Sequence, residues 1–299
     1  MKINILGTII ALLVLASCHK ERSHEYWDSE YGDRPVGYLA FELYWDEYDD
    51  ILSPIDGVRI TASGADGFLK NYDFASPSDA ADALQQIPEG TYNLLVTVDM
   101  SNKDGYILTQ SDALNAANHL PLTTAALSVP SSSPHQAWYG IATATVNNGE
   151  ITIARFQLKR LLSMISITIT GAPDGALITA TASHVAQNIE LTTPTISAAS
   201  IDDVSLGAAT GSGGTLTIDS RTLMPTAFGN DRTIITLCTT RNGVTLTSTI
   251  DAPKMDPGRY YIMEIAYDRL KAYIYTSGTD INDWQQLWTA DGEILNPDE

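Results

Sequence analysis

The feature that most limits what this chain can fold into is its run of short segments in which apolar residues alternate with hydroxyl residues. Leu161 to Thr170 reads Leu-Leu-Ser-Met-Ile-Ser-Ile-Thr-Ile-Thr. A period of two sends alternate side chains to opposite faces, which suits a half-buried strand and no helix. Comparable runs, rich in branched and aromatic residues, begin at Val36, Val58, Asn93, Trp138, Glu150, Thr233, Val244 and Pro257. They recur about every ten residues with Gly, Pro and Asn between them, which predicts antiparallel β-sandwiches. Two hairpins are expected: Trp138–Val146 with Glu150–Leu158 around Asn147-Asn148-Gly149, and Thr233–Thr240 with Val244–Ile250 around Asn242-Gly243. Asn-Gly supplies the positive φ that such turns need.

Only two segments read as helical. Ser76 to Leu84 has Ser76 as a cap, Pro77 at the first helical position and Asp79 and Asp82 near the positive end. Residues 101–135 read as irregular, with a short helix at Ser111–Asn118, and Gly207 to Gly214 as a mobile Gly/Ser stretch. A Pro-x-Gly-x-Tyr turn at 88–92 is loosely echoed by Pro-Gly-x-Tyr at 257–260, which two similar sandwiches would explain and which chance also produces.

The N-terminus carries a separate signal. Lys2 precedes an apolar run from Ile3 to Ala16, and Leu15-Ala16-Ser17-Cys18 follows. A short apolar core closed by small residues is a secretory leader, and it is too short to span a bilayer. A Cys directly after the small residues fits a bacterial lipobox, so Cys18 is the expected lipidation site and the new N-terminus. Stable anchoring takes more than one acyl chain, which such an N-terminus provides. His19 follows, rather than the Asp that holds some lipoproteins at the inner membrane, so the expected location is the outer membrane, at the cell surface. This reading gives a signal peptide at 1–17, a tether at 18–35, a first sandwich at 36–160 and a second at 161–299.

Charge excludes some functions. Asp and Glu number 36 against 17 Lys and Arg, and losing Lys2 with the leader takes the net charge from −19 to −20. A nucleic acid needs a basic face, and an anionic lipid surface needs one too. Neither is an expected partner beyond the lipid anchor itself. With Cys18 acylated, Cys238 has no intramolecular partner and reads as a small apolar side chain in a strand.

Enzymatic patterns are missing: there is no Gly-x-Ser-x-Gly, no phosphate loop and no His-Glu-x-x-His. No enzyme, cofactor or metal site is expected. Asp46, Glu47, Asp49 and Asp50, with Asp56 nearby, read as a solvated loop, with calcium as the open alternative. Asn102 to Ile107 partly mimics a calcium loop but has Met100 and Ser111 at its two key ligand positions, so it reads as a turn. Trp27, Trp45, Trp138, Trp284 and Trp288, with fourteen Tyr, read as packing residues; a sugar-stacking platform on a glycan-binding lipoprotein is the alternative.

Several pieces together resemble the fimbrillin and Mfa-like lipoproteins of the Bacteroidetes, the subunits and accessory proteins of type V pili. These are the lipobox at Cys18; Ile87-Pro88-Glu89-Gly90-Thr91-Tyr92 before a strand; Trp138-Tyr139-Gly140 opening one; Lys159-Arg160 before the apolar strand to Thr170; and Ile281-Asn282-Asp283-Trp284. The resemblance implies two tandem transthyretin-like sandwiches and assembly by strand exchange, with other fimbrial subunits, or a host or bacterial surface ligand, as partners. It also implies proteolytic processing after a basic residue near the N-terminus, for which Arg22 and Arg34 are the candidates. Arg34 precedes Pro35, and the residues after Trp284 are short and acidic for a donor segment. An anchor, accessory or tip subunit, or a free adhesin, is therefore expected over a stalk subunit. The strand from Val36 to Trp45 is the expected exchangeable edge.

Overall fold

The computed structural model describes residues 31–45, 55, 57–241, 243–267, 271–277, 288–291 and 293–294. Cys18, Arg22, Trp27, the acidic residues 46–50 and 56, and Ile281–Trp284 lie outside them. In the first half the elements are β1 (Val36–Tyr44), β2 (Val58–Gly64), β3 (Leu69–Phe74), α1 (Pro77–Asp82), β4 (Gln85–Pro88), β5 (Gly90–Val98), β6 (Tyr106–Leu114), β7 (Pro121–Leu127), β8 (Trp138–Val146), β9 (Ile151–Gln157) and β10 (Lys159–Arg160). The second half holds β11 (Ser163–Thr170), β12 (Leu177–Ser183), β13 (Val185–Ala186), β14 (Ile189–Glu190), β15 (Thr195–Ile196), β16 (Ser200–Ile201), β17 (Val204–Ala208), β18 (Thr210–Ser212) and β19 (Thr215–Leu223). It continues with β20 (Arg232–Arg241), β21 (Val244–Pro253), β22 (Tyr260–Ala266), β23 (Lys271–Ser277), β24 (Trp288–Asp291) and β25 (Glu293–Ile294). The fold is all-β, as the alternating runs require.

Each half packs two sheets face to face, and the second half repeats the first. The order β3-β2-β5-β8-β10 recurs as β17-β12-β20-β21-β25, and β4-β1-β9 recurs within the second half's other sheet as β19-β11-β22. Both repeats carry the same irregularity. β1 runs parallel to β9, and β11 runs parallel to β22, among otherwise antiparallel neighbours. The Pro-Gly-Tyr echo does not mark this repeat. It leads into β5 in one half and β22 in the other, and these strands are not equivalent.

The two halves are joined by more than a linker. β6 and β7, inserted between β5 and β8, share a four-stranded sheet with β14 and β15, inserted between β12 and β17. The junction pairs are Ala125↔Ile189 and Thr124↔Glu190. The Glu190 carboxylate accepts from Thr123 N (3.1 Å) and Thr192 N (3.0 Å), so one side chain ties both insertions. Gln136 brackets Leu162 with two bonds, donating to its carbonyl and accepting from its amide at 2.8 Å. The larger hydrophobic core consequently runs through both halves, from Leu95, Tyr106 and Leu127 to Ile167, Leu237 and Met263. The smaller core belongs to the first half alone.

The structure differs from the sequence reading in three places. Residues 101–135 are not irregular, and Ser111–Asn118 is not a helix: β6 and β7 occupy this stretch, around a turn in which Asn115 Oδ1 accepts from Ala117 N. Pairing with β7, which β14 holds from its other side, decides the conformation, and local propensity gives way to it. Within Gly207–Gly214 the chain ends β17 and then forms β18, which pairs with β19 as a β-ribbon. A Cβ on Gly211 would sit 2.3 Å from Thr215 O, so the glycine permits the close approach of the two strands. Finally, β8 and β9 are not a ladder-paired hairpin. The turn with Gly149 at φ +71° carries the chain from one sheet to the other. The helix at Ser76 and the hairpin β20–β21, with Gly243 at φ +79°, form as expected.

Candidate assembly site

The first strand and its approach carry every described residue with an expected role in assembly. β1 is held on both sides. It pairs antiparallel with β4 over four registered positions and parallel with β9 over seven, from Tyr38↔Ile151 to Tyr44↔Gln157. The expectation that Val36–Trp45 is an edge strand is thus corrected for its first part: β1 is the middle strand of its sheet, flanked on both sides at Tyr38 and Leu39, while Ala40–Tyr44 pairs with β9 alone. The chain on either side of the strand adds to this ladder. Gly149 N donates to Val36 O, and Leu158 N donates to Tyr44 O, both at 2.8 Å.

Alternation sets which side chains anchor β1. Leu39 and Phe41 point into the first core, where the Phe41 ring lies 5.8 Å from Phe74, 5.9 Å from Tyr72 and 6.5 Å from Phe156. Aromatic clusters of this spacing hold a strand by area and by ring geometry together. At one end Gly37 lets the strand pass close under the β8–β9 turn; a Cβ there would meet Asn147 O at 2.2 Å. At the other end Trp45 stacks edge-on against Trp138 at 5.3 Å. Trp138 is buried, so this pair packs the core and offers no open sugar platform. On the outer face Glu42 accepts from Tyr44 Oη and from Arg155 Nε, the latter at 2.8 Å. The Tyr44 hydroxyl first, and Arg155 second, hold the Glu42 carboxyl below its ordinary range.

Arg34 sits in the exposed turn that precedes β1. Its guanidinium reaches Asp66 at 3.4 Å, with both side chains mostly in solvent. Nearby, Lys70 Nζ donates to Tyr31 Oη at 2.7 Å, and Tyr31 lies beside Phe68. Glu89 N fixes Pro35 O at 2.7 Å. Arg34 is exposed but precedes Pro35, and a cut there would release only the segment before β1. No Lys or Arg occurs between Pro35 and Val58; the next is Arg59, inside β2. The only basic position close behind β1 is therefore one inside a paired strand.

The remaining chemistry is local. A groove of about 330 Å³ at the end of β2 and β5 is lined by Arg59, Asp73, Asp99 and Asp104, among others. Arg59 and Asp73 bind each other at 2.6 Å, and Asp104 accepts from Ser101 N at 3.0 Å, closing the turn expected at Asn102. Among the described residues no group of three or more His, Cys, Asp or Glu is placed to hold a metal ion, and no helix is long and apolar enough to cross a membrane. Cys238 is half-buried in β20.

Neither a protein-family model nor a curated protein sequence matches the chain. Solved structures do. A candidate adhesin from Bacteroides thetaiotaomicron superposes with a TM-score of 0.55 at 12% identity, covering 86% of this chain and 98% of that one. A candidate polysaccharide-binding protein from the same organism gives 0.55 at 11% identity, covering 88% and 99%. The fimbrial anchor protein Mfa2 from Porphyromonas gingivalis gives 0.51 at 12%, covering 86% and 99%. The chain has the Mfa-like fimbrillin fold. The fimbrillin resemblance read from scattered motifs therefore holds at the level of architecture. Sequence reasoning missed the central place of β1 in this fimbrillin fold, because the partner β9 lies more than a hundred residues away and parallel pairing leaves no local turn signal.

Proposed function

We propose that this chain is a lipid-anchored protein of the outer membrane surface, acting by protein–protein contact as a fimbrial anchor, accessory or tip subunit, or as an adhesin. The observation that carries this reading is β1: it is laddered to β9 along most of its length and to β4 at its start, and no basic residue lies between it and β2 at which it could be released. A polymerising subunit of the strand-exchange type needs a strand that leaves. The fold shared with a fimbrial anchor and with candidate adhesins supports the same reading, as does the lipobox at Cys18. Other fimbrial subunits, or a ligand on a host or bacterial surface, are the expected partners, and no catalysis is involved.

The test has two arms. Full-length chain expressed in a bacterium and fed an alkyne-bearing fatty acid should take up label in the membrane fraction, and Cys18→Ala should lose it. Label that survives in Cys18→Ala would overturn the anchor. Chain from Cys18 onward, cut with an Arg-specific protease, should stay monomeric on native gels. Ladders resistant to detergent would make it a stalk subunit instead.

A further inference from the structure

The parallel pairing of β1 with β9 has a mechanical meaning when the path of the chain is followed. The tether enters β1 at Val36. β9 starts beside that point, since Gly149 N bonds Val36 O, and it ends beside Tyr44, since Leu158 N bonds Tyr44 O. From there the chain passes through β10 directly into β11 and the second half. A pull on the tether and an opposing pull carried through the connection from β9 to β11 thus act on opposite ends of two neighbouring parallel strands.

We propose that β1 and β9 form a shear clamp that holds the molecule together under tension between its N-terminal anchor and its body. In this loading all seven registered pairs, Tyr38↔Ile151 to Tyr44↔Gln157, bear force together. A slide of about 2 Å along the strand axis takes every one of their hydrogen bonds past bonding distance at once. The same bonds opened from the Val36 end would break one after another over a long displacement. The work is similar, the distance is shorter, and the force is correspondingly larger. The four pairs with β4 and the rings around Phe41 resist the same slide. The second half repeats the pairing, though not the loading: β11 enters at Ser163 and runs parallel to β22 over seven pairs, Met164↔Tyr260 to Thr170↔Ala266, and β22 then turns back into β23 of the same sheet.

The use of this clamp in a cell rests on the anchor reading above, but its mechanics do not, so loss of the acyl label would leave the force result untouched. The test is single-molecule force spectroscopy on the chain from Cys18 to Glu299 carrying Cys238→Ser, with the Cys18 thiol as one handle. The second handle is Lys159→Cys or Asn148→Cys, both exposed and at opposite ends of β9. Pulling between Cys18 and position 159 shears β1 against β9; pulling between Cys18 and position 148 unzips them. The shear geometry should need a several-fold larger force. Equal forces in the two geometries, or a lower force in shear, would overturn the clamp.

Discussion

The two halves share a strand order but fill it differently. The first core is built on rings: Phe41, Tyr72, Tyr92, Trp138 and Phe156 are buried together, with Phe68 and Phe74 against them. The core of the second sandwich is aliphatic, with Ile165, Ile167 and Ile169 from β11 facing Ile235, Leu237 and Ile250. The edges differ too. β9 lies along β8, where Thr152 Oγ1 donates to Thr145 O at 2.9 Å, whereas the equivalent β22 takes β23 as a further antiparallel partner. One topology therefore accepts few large or many small side chains, provided that the volume is filled and the period of two is kept. This is why the repeat is invisible to residue-by-residue comparison of the halves.

The difference can be broken most sharply in the first core. Phe41→Ala should lower stability by about 3–5 kcal/mol, whereas Ile167→Val should cost about 0.5–1.5 kcal/mol. With Trp27, Trp284 and Trp288 replaced by Phe in every variant, urea unfolding followed by the fluorescence of Trp45 and Trp138 reports the first half, and far-ultraviolet circular dichroism reports both. Because the larger core runs through both halves, both signals should move together in each variant. Two separated transitions would mean that the halves are independent despite the sheet they share.

Glu190 tests that shared sheet directly. Its carboxylate accepts from Thr123 N, Thr192 N and Thr192 Oγ1 at the meeting of β7 and β14. Glu190→Ala leaves those donors without their acceptor and should cost about 1–3 kcal/mol. The same two probes should now separate, with the half carrying β14 unfolding at a different urea concentration. Coincident curves at unchanged midpoint would show that the hydrophobic seam alone couples the halves.

Alkaline pH sharpens where the buried hydroxyls lie. Burial raises the Tyr261 phenol from its ordinary 10.0 to about 12. Tyr106, which is at the seam and bonded to His135 O, is raised further by burial and then by Asp104 and Asp99. Above the ordinary value the unfolded chain loses these protons while the folded one keeps them. Stability is therefore whole below pH 10 and falls by about 1.4 kcal/mol per pH unit for each such tyrosine above it. Urea midpoints from pH 8 upward check this, and Tyr106→Phe should flatten the decline. A midpoint that holds through pH 11 in the parent chain would contradict the burial of these phenols.

How much of this was legible follows from the range of each signal. The strands themselves, the cap at Ser76 and the turn at Gly243 are local, and their residues announce them. The β6–β7 hairpin was hidden because Ser111 to Asn118 is Ala-rich and suits a helix on its own terms; Ser111–Leu114 ends β6 and the rest is the turn into β7, whose other side is held by β14, far along the chain. The parallel place of β1 was hidden for the same reason. For the site, Arg34 could be named from sequence, but whether cutting there frees a strand depends on where β1 begins and on the gap in basic residues up to Arg59.

Arg34 should matter least to stability and most to processing. Its ion pair with Asp66 is long and its side chains are exposed, so Arg34→Ala should change the urea midpoint by no more than about 0–1 kcal/mol. The same substitution removes the one described basic residue between the tether and β1. Limited digestion with an Arg-specific protease that accepts Arg-Pro bonds, read by mass, should then shift to sites outside 31–58, while the parent loses the segment up to Arg34. In both proteins β1 should stay with the body, because it has eleven registered partners in β4 and β9 and no basic residue behind it. A fragment that begins within β2 with β1 absent would show that the strand leaves after all, and would turn the comparison around: the aromatic half would be the labile one and the aliphatic half the scaffold.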